Sequence, residues 1–486
     1  MKTITVKRAG VTLNPDRSRV LVRPFRLTSS QRTTNICARV MALSESEVSE
    51  LLQDVLAEFD ERHQQTRDLL KRGFERVKGA LLTNHKLSED RQLLLGAYFT
   101  HEYALEAAAL FNPSIVPHPD QSGLDPGALR FILSLRATGE GHISSVTFRT
   151  GFVDATNDIC VRINPPTRFL SEPQQVPSAF YEKPLFERKL YELGLTSPFS
   201  RRVLGELLDT FTMEELHKKL EAVLKQVRAI DPESDTVAKG ILLLAQSNYE
   251  VQFAAESRVS ERVIFPTSPS QSNGIEDARF VLFQNDDGTR NYYATYTAYD
   301  GKLILPQLLE TPDFLHFKFI TFNRPAVQNK GMALFPRKIN GLYAMLSRQD
   351  NENIYLMYSD NIHFWYEAEL LLKPTFPWEF VQLGNCGSPM ETEAGWLVLS
   401  HGVGPMRKYC IGAFLLDRDD PTKVIGRLRE PLLKPSETER EGYVPNVVYS
   451  CGALIHNREL ILPYAMSDYA TNFATISLDE ILGAME

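Results

Sequence analysis

Cysteine is scarce in this sequence. Cys37, Cys160, Cys386, Cys410 and Cys451 are the only five in 486 residues. They are odd in number and lack C-x-x-C spacing, which argues against a disulfide framework; free thiols in a reducing compartment are the expectation. Asp and His are present, but no spacing signature supports a metal site, and none is expected. Basic runs are also absent. The 53 Lys and Arg are outnumbered by 61 Asp and Glu, a net charge of −8, so nucleic acid is not an expected partner. No apolar stretch reaches transmembrane length, and no membrane partner is expected. The opening Met1-Lys2-Thr3-Ile4-Thr5-Val6-Lys7 has no apolar core of a signal peptide. The expected location is the cytoplasm.

What is present reads as a mostly helical region followed by a long β-rich one. Residues 1–40 mix short β-type runs with arginines, as in Val20-Leu21-Val22-Arg23. Ser44 and Glu47 then make a capping box, and Val48, Leu51, Leu52, Val55, Leu56 and Phe59 recur at helical spacing. The helical pattern continues to about Lys78, and a third apolar stretch runs from Arg91 to Leu110. These helices suit packing or homo-oligomer contact. Residues 1–106 are therefore set apart from 107–486. A second helical segment, about 196–250, contains the capping box Thr212/Glu215 and interrupts the β part.

The β part repeats short strand pairs. Examples are Phe131–Arg136 with Ser144–Arg149, Tyr343–Arg348 with Ile354–Tyr358, Trp396–His401 with Cys410–Leu416, and Ala453–His456 with Leu460–Tyr464. About five such units suggest a propeller or a sandwich. In a propeller the strand ends converge on one channel. The stretch Asn273-Gly274-Ile275-Glu276-Asp277-Ala278-Arg279-Phe280 sets two adjacent carboxylates and an arginine between a turn dipeptide and the strand Phe280–Phe283. Convergence would join them to Lys330, Arg337, Lys338, Arg348 and His401, and to aromatics such as Tyr296, Tyr343, Tyr443 and Tyr464. Carboxylates with aromatic rings suit a sugar, and clustered cations suit a phosphate. A phosphorylase needs no second carboxylate base, because phosphate is itself the nucleophile.

On these motifs the sequence resembles glycoside hydrolase family 130, the mannoside phosphorylases and related β-mannosidases. The resemblance rests on Phe111-Asn112-Pro113-Ser114, Leu135-Arg136-Ala137, Gly274-Ile275-Glu276-Asp277-Ala278-Arg279, Asn329-Lys330-Gly331, Ala333–Ile339, Tyr358-Ser359-Asp360, Gly395–Val403 and Tyr464–Asp468. It implies a mainly β fold, a five-bladed β-propeller, here with an added α-helical N-terminal region and a helical insertion. It implies inverting attack on a non-reducing β-mannosyl unit by inorganic phosphate as co-substrate, with no cofactor and with a manno-oligosaccharide as the other partner. Asp277 matches the general acid, which in the family passes its proton through a sugar hydroxyl. Asn112, Arg136 and Asp468 match positions that hold the mannosyl unit, and Glu276, Tyr343, Asp360 and Tyr464 complete the candidate substrate set. Asn329, Lys330, Arg348 and His401 form the candidate phosphate set. Two departures stand out: Gln328 where some members have arginine, and Arg337 where a glutamate is common. The hydrolases of the family gain glutamates as base, and Glu391 and Glu393 are the residues to watch for that. The expectation is an inverting β-mannoside phosphorylase, with β-1,2 linkages favoured and β-1,4 open. A β-mannosidase on the same scaffold and a non-catalytic glycan-binding propeller remain as alternatives.

Overall fold

The architecture is taken from a computed structural model. It describes residues 4–486 except 82, 84, 156–158, 163–168, 178, 228–230, 232, 303 and 324, and the side chains of 159–162. The fold is mainly β. Among the described residues, five antiparallel runs of four strands follow one another. The first holds Ala109–Pro117, Leu129–Thr138, Ser144–Val153 and Ile159–Arg162. The second holds Gly274–Gln284, Arg290–Tyr299, Ile304–Thr311 and His316–Thr321. The third holds Lys330–Leu334, Tyr343–Arg348, Ile354–Ser359 and Glu369–Leu372. The fourth holds Gln382–Asn385, Gly395–Val403, Tyr409–Leu416 and Val424–Arg427. The fifth takes Val448–Tyr449, Glu459–Met466 and Ala470–Ser477 from the end of the chain and its outer strand, Val6–Leu13, from the beginning.

Alternation along each strand sends apolar side chains to both faces, and each unit buries a face against the next. Phe148 of the first packs with Phe280 and Phe317 of the second. Phe283 and Leu308 pack with Met345 and Met357 of the third. Leu346 and Leu356 meet Val398 and Phe414 of the fourth. Leu397 and Ile411 meet Leu462 and Ile476 of the fifth. Ile461 and Phe473 of the fifth return to Phe131 and Leu133 of the first.

Four helices, Ser30–Met41, Glu45–Phe59, Thr66–Val77 and Glu89–Tyr98, lie between Val6–Leu13 and the first unit. They have cores of their own around Val48, Phe74 and Leu95 and around Leu52, Leu70 and Leu93. The capping box at Ser44 and Glu47 forms as read. The helix Ser30–Met41 was not evident from its β-branched sequence. The stretch from Arg91 to Leu110 is not one element. Its helix stops at Tyr98, Thr100–Ala104 pairs with Val20–Pro24, and Ala109 opens the first unit. Glu106 falls between them, fully buried and paired with Arg19 (2.8 Å) and Arg149 (2.7 Å). The second helical segment starts earlier than read, at Lys183, and ends at Gln246. The box at Thr212 and Glu215 is present. Among the described residues no helix is long and apolar enough to cross a membrane.

Candidate active site

The first strands of the five units are tied to one another. Phe280 N donates to Ser114 Oγ (3.0 Å) and Cys451 N to Pro113 O (2.8 Å). Asn385 Nδ2 donates to Gly331 O, and Arg279 Nη2 to the Tyr449 hydroxyl at 2.6 Å. Three of these strands carry an irregularity at the same place in the unit. Pairing slips between Phe111 and Ser114, between Glu276 and Arg279, and between Lys330 and Ala333. Asn112, Asp277 and Asn329, in or next to these slips, adopt φ of 49°, 52° and 61°. Left-handed backbone costs a non-glycine residue about 1–2 kcal/mol. A bulge re-aims the side chain it carries, and strain of this kind gathers where function requires a side chain in one place. Gly274 has a different reason for being glycine. A Cβ there would come within 2.9 Å of the Ser144 backbone nitrogen, where the first two units meet.

The bulges assemble one group around Asp277. Its Oδ1 accepts from Asn112 Nδ2 (2.6 Å) and Arg136 Nη1 (3.2 Å). Arg136 also donates Nη2 to Glu276 (2.7 Å) and Nε to Ser144 Oγ (2.8 Å), with its guanidinium 5.0 Å from the centre of the Phe111 ring. Lys330 Nζ stands 3.9 Å from the other Glu276 oxygen. Burial opposes ionisation of Asp277, but the cations of Arg136, Arg279 and Lys330, with the Asn112 amide, outweigh it and hold its carboxyl well below the usual range. Asp468 is driven the other way. Burial and the Asp277 charge push it up to about 6, against weaker pulls from Arg136, Arg407 and Lys330. Two carboxyls in one pocket are thus separated in proton affinity, a pattern common at acid–base sites.

A second group surrounds Arg348. Its Nη1 is 3.0 Å from His401 Nε2. In the orientation of the Gln382 amide that suits a guanidinium, with its oxygen toward Arg348, that oxygen accepts from Nη1 and, at 3.1 Å, from Nε. Arg279 lies beside it, giving Nη1 to the Asp277 backbone oxygen (3.0 Å) and Nη2 to Tyr449, with Nε buried and unbonded. Both guanidiniums are buried, at 7% and 3% exposure. Neither is hydrogen-bonded to a carboxylate among the described residues; every acceptor on them is neutral. Both feel the Asp277 charge, but one carboxylate faces two buried cations and bonds to neither side chain; buried charge without a hydrogen-bonded counter-ion is costly, so the two arginines side by side form a place for an anion.

A family model described as beta-1,4-mannooligosaccharide phosphorylase matches residues 223–486. The chain belongs to glycoside hydrolase family 130. Among its relatives is a 1,2-beta-oligomannan phosphorylase of Thermoanaerobacter sp. (strain X514), 34% identical over 232 residues, which are 46% of this chain and 75% of that one. A beta-1,4-mannooligosaccharide phosphorylase of Ruminococcus albus is 32% identical over 176 residues, 34% of this chain and 51% of its own. The solved beta-1,2-mannobiose phosphorylase of Listeria innocua aligns with a TM-score of 0.46 at 20% identity, covering 78% of this chain and 92% of that one.

Within this family 130 chain, the residues read from sequence divide in two. Asn112, Arg136, Glu276, Asp277 and Lys330 share one network, with Asp468 within electrostatic reach and Asn329 next to Lys330 in sequence. Arg348 and His401 form the adjoining one. Three others lie elsewhere. Tyr464 is fully buried in the core between the fourth and fifth units, its hydroxyl donating to Glu439 (2.6 Å), which pairs with Arg8. Tyr343 begins the strand that Arg348 ends; it stacks on Phe283 at 5.5 Å, below the Lys338 ammonium. Asp360 is exposed and follows Ser359, which pairs with Tyr343 at that far end. Arg337 and Lys338 are also engaged elsewhere, with Glu391 and Asp286. Tyr449 and Gln382 carry no motif signal, and Arg279 stands in the Asp277 motif without a role of its own in the candidate sets. The signal for Arg279 was its place two residues beyond Asp277.

Proposed function

We propose that this protein is an inverting phosphorylase of non-reducing-end β-mannosides. Inorganic phosphate and a manno-oligosaccharide are its substrates; α-mannose 1-phosphate and the shortened sugar are its products. The observation that carries this reading is the pair of buried, neutrally held arginines, Arg279 and Arg348, next to the Asp277 group. A hydrolase needs a carboxylate base to activate water. Glu391 and Glu393, the residues watched for that role, are occupied in ion pairs with Arg337 and Arg418 and with Arg458. The cores that run in order from the first unit to the fifth and back support a closed five-bladed propeller with these groups at its centre.

In the reaction, a phosphate oxygen forms a bond to the anomeric carbon as the bond to the leaving oxygen breaks. That oxygen takes a proton originating on Asp277, relayed by a mannosyl hydroxyl as the family resemblance implies. Asp277 is held ionised when the anion site is empty of charge. A phosphate dianion against Arg279 and Arg348 cancels part of the field that keeps it so, and a nearby negative charge raises a carboxyl's proton affinity. Phosphate binding therefore shifts Asp277 toward its acid form. Asn112, Arg136 and Asp468 hold the mannosyl unit. The relatives that are phosphorylases of β-1,2-mannosides favour that linkage. The cytoplasm suits a phosphorylated product.

The test is product analysis on β-1,2- and β-1,4-linked mannobiose and mannotriose, with and without inorganic phosphate. Mannose 1-phosphate formed only with phosphate is expected. Free mannose released equally in both buffers would mean a hydrolase.

A further inference from the structure

A β-mannoside attacked from its non-reducing end enters the site end first. Asn112 and Asp277 are buried, so the mannosyl unit lies deepest and the rest of the chain leaves by the open side. Two turns stand there. The Arg136 strand, Leu129–Thr138, turns back through residues 139–143 into Ser144–Val153. Asp468 lies in the turn between Glu459–Met466 and Ala470–Ser477. Each turn is locked from below. At Gly139 a Cβ would come within 2.4 Å of the Tyr103 hydroxyl, and that hydroxyl donates to Glu140 O at 3.1 Å. Gly442 packs as closely on the Asp468 turn. A Cβ there would lie 2.5 Å from Ser467 O, and Val444 N donates to that same oxygen at 3.0 Å.

Tyr443 is thus held between two fixed neighbours. Its ring meets that of His142, at the tip of the other turn, with centroids 5.7 Å apart and 37° between the planes. Its hydroxyl lies 3.3 Å from His142 Nδ1. His142 reaches it through left-handed backbone, φ 60°, directly after Gly141 at 68°, a conformation that is costly for a residue with a side chain. Yet Tyr443 remains 56% exposed. A rigid aromatic ring left in water beside a sugar site has an apolar face to cover and little freedom to lose on binding.

We propose that Tyr443, braced by His142, is the platform for the third sugar unit of the substrate and favours chains of three or more units over mannobiose. The inference rests on the β-mannoside reading above. Mannobiose fills the mannosyl place and the one on its leaving side, both below the mouth. The third unit is the first to reach the rim, where the exposed ring stands. The ring acts by its face, against the C–H groups of a pyranose; its hydroxyl is turned to His142.

The test uses mannobiose and mannotriose of the linkage that wild type consumes, at saturating phosphate. KM and kcat for each sugar, KM for phosphate and the melting temperature are measured in wild type, Tyr443→Ala and Tyr443→Phe. Tyr443→Ala is expected to raise KM for mannotriose about fivefold, the worth of roughly 40 Å² of apolar surface taken out of water. It should leave mannobiose, phosphate and kcat within about twofold. Tyr443→Phe keeps the ring and should stay within about twofold of wild type on mannotriose. An unchanged ratio of the two sugar KM values in Tyr443→Ala would overturn the proposal, whether neither value moves or both rise together. So would equal losses in Tyr443→Phe and Tyr443→Ala, which would give the role to the hydroxyl. Calorimetric binding of both sugars to Asp277→Asn, with and without Tyr443→Ala, reads the same ratio without turnover. Wild type that releases free mannose regardless of phosphate would overturn the phosphorylase reading alone, and the calorimetric ratio would still decide on Tyr443. Binding of neither sugar would overturn both.

Discussion

Replacing Asp468 with asparagine should stabilise the folded protein, and should do so far more at pH 8 than at pH 4. In the fold its carboxyl is pushed up to about 6, by burial first and then by the Asp277 charge, from 3.8. The unfolded chain therefore gives up this proton at lower pH than the folded one. Its contribution to stability is intact below pH 3.8, is lost as pH rises through 6, and stays lost above. With 1.36 kcal/mol for each unit, the ionised side chain costs the fold up to about 3 kcal/mol at pH 8. Asparagine resembles the protonated form at every pH and escapes that cost. The gain should fall below about 1 kcal/mol at pH 4. Urea unfolding of wild type and Asp468→Asn at both pH values, in phosphate-free buffer, reads the difference directly. An equal gain at both pH values, or a larger one in acid, would show that no such charge conflict exists between Asp468 and Asp277.

Other outcomes follow from the same contacts. Asp277→Asn should lower mannose 1-phosphate formation by more than ~10²-fold, the usual worth of a general acid; unchanged turnover would remove Asp277 from catalysis. Arg348→Gln should raise KM for phosphate about tenfold or more through loss of charge-assisted hydrogen bonds, read from initial rates over a phosphate series. Glu106→Gln leaves Arg19 and Arg149 buried without their counter-charge and should cost about 3–5 kcal/mol, visible in denaturant unfolding. Gly412→Val sets a Cβ about 2.5 Å from the Trp378 ring and should shift its fluorescence and cost roughly 1–3 kcal/mol by overpacking.

Local rules reached some elements and not others. Ser44 with Glu47 and Thr212 with Glu215 are self-contained signals, and both helices begin there. Strand pairs such as Tyr343–Arg348 with Ile354–Ser359 were legible from alternation. The split of Arg91–Leu110 was not, because it depends on a distant fit. Gly96 lies so close to Leu70 O that a Cβ would meet it at 1.8 Å, and the chain beyond leaves the helix to pair with Val20–Pro24. At the site, Asn112, Arg136 and Asp277 were found by motif, but the bulges that aim them were not. The apolar run places the start of the strand carrying Asp277 at Phe280; in the fold it starts at Gly274. Tyr343 is an aromatic residue in a strand, and Asp360 and Tyr464 stand in matched motifs; neither signal says which face or end of a strand a side chain occupies. Tyr449 and Gln382 act on arginines from other units, and only the assembled fold brings them there.

The strand Val6–Leu13 completes the fifth unit against Ala470–Ser477, with Leu13 opposite Thr471. This sets an order in time. The ribosome makes one partner first and adds some 460 residues before the other exists, which takes roughly 20–90 s at 5–20 residues per second. For that interval the early strand has an unpaired edge, the kind of edge that recruits foreign strands. Here it carries Lys7 and Arg8, charges that discourage such pairing while the chain waits for its own end.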